Sequence, residues 1–133
     1  MDYNKLKQLI LKTMKNIYYD DRAIRYDWMG YRITEENKPT YHHIVKREEL
    51  IQNNIDPMPT LENGAYLGKQ SHEMLHVIEQ IDHDLYVCWN DLFLMINRFG
   101  TFPVKDVWKA IFKLRRITEE TLELHKQGKT YTK

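Results

Sequence analysis

Leu6, Leu9, Ile10, Met14 and Ile17 recur at three- and four-residue intervals, so the spacing predicts an amphipathic helix over residues 3–18, with lysines outward and a bracing role against the fold. From Ala23 to Val45 the pattern changes. Short runs rich in Tyr, Trp, Ile and Arg, broken by Gly30 and by the turn-like stretch 35–39, predict an antiparallel pair of strands, the second carrying Tyr41, His42, His43, Ile44 and Val45. A short helix over 46–52 follows, then a loop over 53–59 whose prolines bar it from a helix interior or a central strand. Asn63-Gly64 reads as a turn, Ala65-Tyr66-Leu67 as a short strand, and Ser71 as the N-cap of a helix running to about Ile81. Leu85 to Ile96 is apolar almost all round and predicts a buried helix. Gly100 and Pro103 mark entry into a last helix striped by Val104, Val107, Trp108, Ile111, Leu114 and Ile117.

The resulting expectation is an α+β chain, residues 1–133 as a single domain, with a strand, loop, strand, helix unit at about 24–80 and helical additions at 1–20 and 84–126. A chain of 133 residues suffices for one core and is short for two. The single cysteine, Cys88, excludes an internal disulfide and any multi-cysteine zinc site, so a metal would be held by histidine and carboxylate. The opening residues interrupt their apolar positions with lysine, unlike a signal peptide or a membrane span, and a cytoplasmic location is expected. A net charge of +1 argues against nucleic-acid binding by bulk electrostatics alone. The charge is unevenly placed: Lys5, Lys7, Lys12 and Lys15 face only Asp2 in residues 1–17, and the C-terminal segment is also basic.

Histidine placement carries the chemistry. On a helix His72 and His76 point the same way one turn apart, so both imidazoles can meet one divalent cation. The run His72-Glu73-Met74-Leu75-His76 also matches the HExxH pattern of zinc peptidases, with Glu73 as general base, but no downstream third ligand stands out. The upstream pair His42-His43 supplies what that reading lacks. Adjacent strand residues face opposite sides, which suits one ligand and one base placed across a substrate.

His42-His43-Ile44, then Asn63 with Leu67 four residues on, then His72 and His76, resemble the HNH or ββα-metal endonucleases, closest to the His-His variant of colicin-type DNases. The resemblance covers roughly residues 24–80 and includes the nine-residue step from Asn63 to His72. It implies that His42, His72 and His76 are metal ligands, that His43 is the general base, and that Asn63 clamps the loop between the strands and so orients His43. Paired CxxC zinc knuckles, common in small members, are absent, and the first ligand is histidine where aspartate is more frequent. The implied activity is hydrolysis of phosphodiester bonds in nucleic acid, DNA being the expected substrate, with one divalent ion. Three imidazoles suit Zn, Ni, Co or Mn better than Mg, although open positions allow Mg as well. Many small proteins of this kind belong to phage and mobile elements. Lys46, Arg47 and Lys69 flank the motif as candidate contacts to the substrate backbone. The aromatic first half, Tyr18 to Tyr41, suits a packed core better than base stacking.

Two rival readings remain: the zinc peptidase, and a non-catalytic binding or inhibitor protein that uses its apolar C-terminal helices as a homodimer or partner surface.

Overall fold

The computed structural model describes residues 2–20, 22–100, 102 and 105–128. Helix α1 runs Tyr3–Tyr18, as its spacing predicts, and Asp2 caps it by accepting from the Lys5 N–H. Its buried stripe is Ile10, Leu11, Met14 and Tyr18, whereas Leu9 and Ile17 lie about half exposed. The inward face is thus rotated from the expected one, because the bulky Tyr18 and the adjacent Leu11 make the core contacts.

Residues 23–33 do not form the first of two paired strands. Their only ladder contact among the described residues is an isolated bridge between Tyr26 and Arg32. The buried Asp27 explains why, since its Oδ1 accepts from the Met29 and Tyr31 N–H groups and bends the chain into a turn. Gly30 lies in that turn at φ 86, and a Cβ there would sit 2.8 Å from Ile111 Cγ2. The turn docks on the last helix: Arg115 Nη1 donates to the Gly30 carbonyl at 2.7 Å, and the Tyr31 hydroxyl donates to Glu119 at 2.7 Å.

Strand β1 runs Pro39–His43, two residues earlier than expected, and pairs antiparallel with β2, Gly64–Gly68. In this register His42 faces Ala65 and His43 faces Gly64. Between them lie α2, Arg47–Gln52, and the proline loop. Helix α3 runs Lys69–Ile81. Ser71 is not its N-cap: the cap position is Gly68, three residues earlier, and the first N–H groups are met from afar. Gly68 N–H donates to Asp27 Oδ2, Lys69 N–H to the Lys38 carbonyl, and Gln70 and Ser71 N–H to Asn37 Oδ1.

Helix α4, His83–Phe99, buries Leu85, Tyr86, Trp89, Leu92, Phe93 and Ile96 on one face, but Val87, Met95 and Phe99 are exposed, so it is not buried all round as its composition suggests. Helix α5 runs Lys105–Lys126 with Val107 and Ile111 buried; Pro103 and Val104 fall outside the described residues. The architecture is α+β, a two-stranded antiparallel sheet covered by helices. Its core centres on Trp28, Tyr66, Trp89 and Phe93, and the buried Thr118 accepts the Trp89 indole N–H at 2.8 Å. No helix among the described residues is long and apolar enough to cross a membrane.

Candidate metal centre

Alternation along β1 sends His42 inward against α3 and α4, while His43 turns toward α1 and the proline loop. On α3, His72 and His76 are one turn apart with stacked rings 4.8 Å between centroids. The His42 ring meets His72 edge-on at 5.2 Å. One nitrogen from each of His42, His72 and His76 lies within 4.8 Å of the others, so the three can bind one metal ion. Zinc holds imidazole nitrogens at about 2.0–2.1 Å, so closing on an ion takes side-chain movement on the order of 1 Å. The expected third ligand is therefore upstream of the helical pair.

Each histidine also has an outer hydrogen-bond partner. Asn90 Oδ1 on α4 lies 2.8 Å from His42 Nε2, Thr40 Oγ1 lies 3.0 Å from His72 Nδ1, and Glu79 lies 3.5 Å from His76 Nδ1. With the asparagine oxygen as acceptor, His42 Nε2 carries the proton and Nδ1 is left with the lone pair; His72 and His76 present Nε2. Burial drives the His42 pKa down to about 3, helped by the neighbouring His72 and His76 and opposed by Asn90. Burial and His76 bring His72 to about 4. Both rings are neutral near pH 7, the state a metal requires. Burial would raise the Glu79 carboxyl, but the ammonium of Lys46 and the ring of His76 outweigh it and hold the pKa low.

A cleft of about 330 Å³ brings the triad together with His43, Lys46 and Arg47. Lys69 does not line it; it lies exposed at the start of α3. Glu73, the base of the peptidase reading, is exposed and also outside the cleft lining. The half-buried His43 has Nε2 3.3 Å from the Pro57 carbonyl and Nδ1 3.4 Å from the Tyr3 hydroxyl. Burial pulls its pKa below the ordinary imidazole value, the Pro57 carbonyl opposes this, and Lys7 and Arg47 add to it. Asn63 grips the chain just beyond this histidine: its Oδ1 accepts from Val45 N–H at 2.8 Å, its Nδ2 donates to the Val45 carbonyl at 3.0 Å, and its own carbonyl accepts from Ile44 N–H.

Around the cleft, Tyr3, Lys7, Asn90 and Thr40 carried no signal in the chain, whereas Arg47 stood out beside the motif. Tyr3 stacks on His43 with rings 7° from parallel, and the cations of Lys7 and Arg47 each lie 4.8 Å from the Tyr3 ring centroid. Tyr3 and Lys7, with Asn90 and Thr40, reach the site from elements whose local pattern shows only a helix or a strand. No known protein family, curated protein or solved structure matches this chain. The chemistry of the cleft is what speaks to its function.

Proposed function

We propose that this protein is a metal-dependent endonuclease of the HNH type, hydrolysing phosphodiester bonds in nucleic acid, with DNA as its substrate. The observation that carries the proposal is the shared cleft: a three-histidine ligand set on β1 and α3, and beside it a fourth histidine on the opposite side of the same strand. In this reading His42, His72 and His76 hold one divalent ion, whose chemistry when bound is charge neutralisation at the scissile phosphate and at the leaving oxygen. Zinc, nickel or manganese suits the three imidazoles, and magnesium is usable when phosphate oxygens complete its shell.

His43 is the general base. The Pro57 carbonyl accepts from its Nε2, so Nδ1 is the lone-pair nitrogen that takes a proton from the attacking water, and a pKa below the ordinary value keeps that nitrogen free at neutral pH. The Tyr3 hydroxyl lies 3.4 Å from Nδ1, at the position this water would take. Asn63 is a positioning residue, holding Val45 and thereby the end of the strand that carries His43. Lys46 and Arg47 line the cleft where they can meet phosphate oxygens.

The decisive experiment is nicking of supercoiled plasmid by metal-stripped protein with Mg, Mn, Ni or Zn restored. Metal-dependent nicking is expected, and His43→Ala is expected to abolish it while still binding metal. Absence of nicking with every metal would overturn the reading.

A partner role keeps one specific observation in its favour. Val87, Met95 and Phe99 form an exposed apolar stripe on α4, and Phe112 is exposed on α5, as a homodimer or hetero-complex surface requires. Light scattering tests it: association in solution supports such a surface, and a strict monomer removes the homodimer.

A further inference from the structure

Further along α1 from the histidine cleft lies a larger groove, about 700 Å³, lined at its base by the buried Leu11 and Tyr66. Lys12, Lys15, Arg25 and Lys38 line it, against the single carboxylate of Glu35. Glu35 is paired with Lys38 at 3.6 Å, and the Arg25 guanidinium is held toward the groove floor by a 2.8 Å hydrogen bond to the Tyr66 hydroxyl. The net local charge is three positive, on a protein whose total is +1.

Two elements run from this groove to the histidine cleft. Helix α1 gives Lys7 to the cleft and Lys12 and Lys15 to the groove. Strand β1 gives Tyr41, His42 and His43 to the cleft and Pro39 to the groove. Lys7 to Lys15 is eight helical residues, about 12 Å at 1.5 Å per residue. Pro39 to His43 is four strand residues, about 13 Å at 3.3 Å each. Successive phosphates of one strand lie farther apart than the axial rise of about 3.4 Å, because the backbone winds around the axis, so both distances span about two phosphate steps.

We infer that the groove bounded by Lys12, Lys15, Arg25 and Lys38 is a second nucleic-acid contact, which grips the phosphate backbone of a duplex a short way along from the phosphate held at the histidine cleft. The register rests on the nuclease reading; the backbone binding does not. A concave basic groove that shares α1 and β1 with the histidine cleft fits a phosphate chain. An anionic bilayer would ask for a flat or convex basic face instead. Such a groove also resolves a tension in the composition, because a near-neutral protein can still hold a polyanion when its cations are gathered along one track.

The test uses metal-loaded His43→Ala protein, so that substrate is not consumed, and a fluorescein-labelled 24-base-pair duplex read by anisotropy from 50 to 200 mM KCl. Adding Lys12→Ser, Lys15→Ser and Lys38→Ser is expected to weaken binding at least tenfold at 100 mM. It is also expected to flatten the dependence of log K on log salt by about 2.7, at about 0.9 per lost phosphate contact. Thr34→Lys, which adds a cation to the same wall, is expected to tighten binding, an outcome that misfolding cannot imitate. Unchanged affinity and slope in the triple variant would overturn the inference, as would tighter groove-dependent binding of a polyglutamate peptide or of phosphatidylserine vesicles than of the duplex. The two readings fail separately. Groove-dependent binding without wild-type plasmid nicking ends the nuclease and leaves the groove, while nicking with groove-independent binding does the reverse.

Discussion

Asn90 shows how much a single side chain outside the cleft lining can decide. Its Oδ1 fixes which nitrogen of the buried His42 carries the proton, and therefore which one keeps the lone pair that a metal needs. Asn90→Ala is expected to weaken metal binding about 10- to 100-fold, the usual cost of losing an outer-shell partner. Competition titration with a chromophoric chelator measures this, and an unchanged affinity would show that the ring is oriented without Asn90. The four histidines were legible in the chain because helical and strand periodicities act over a few residues. Asn90 was not, since it lies 48 positions from His42 and nothing near either residue encodes their meeting. Tyr3, 40 positions from His43, escapes for the same reason.

Among the elements, α3 depends on residues far from it. Its amide terminus is capped by Asp27 and Asn37, and Gly68 is compact because a Cβ there would lie 2.2 Å from the Asn37 side chain. Gly68→Ala is expected to cost about 1–3 kcal/mol by overpacking, and Asn37→Ala about 1–2 kcal/mol through the lost cap. Urea denaturation of both and of the double variant tests the contact. The double change should cost less than the sum, because alanine at 37 removes the atoms that the new methyl group meets. Strict additivity would show that the two sites do not share this contact. The same arrangement explains which parts of the fold were readable. Helices α1 and α5 follow from their apolar periodicity and α4 from its long apolar run, within a few residues, while the extent of α3 was readable but its cap was not. The aromatic, β-branched stretch 23–33 has the composition of a strand, yet Asp27 diverts its backbone hydrogen bonds into a turn, a choice that propensity does not see.

For the molecule as a whole, the buried His42 links acidity, metal and stability. His42 has a folded pKa of about 3, against an ordinary value of about 6.5 in the unfolded chain. Below 6.5 the unfolded state takes up a proton that the folded state refuses, so the metal-free protein is fully stable above that pH. It loses stability as pH falls toward 3, at about 1.4 kcal/mol per pH unit for this one group. Denaturation midpoints at pH 7 and pH 5 measure the slope. His42→Gln should flatten it, which also separates the histidine from the buried Asp27, whose burial-raised pKa acts in the opposite sense. A slope equal in both proteins would mean that the ring is not excluded from water. Saturating metal should add about 2.7 kcal/mol at one hundred times its Kd, and acid should remove that gain as the imidazoles are protonated.

The hydrogen bond between β1 and α4 has a consequence in time. His42 emerges from the ribosome long before Asn90, and the core that buries it includes Trp89 and Phe93, which leave the tunnel at about the same moment as Asn90. At about 5–20 residues per second, a growing chain spends several seconds with its histidines made and their pocket unbuilt. A half-made chain therefore carries the histidines without the asparagine that orients His42, and metal binding that depends on that pocket waits until α4 packs against the strand.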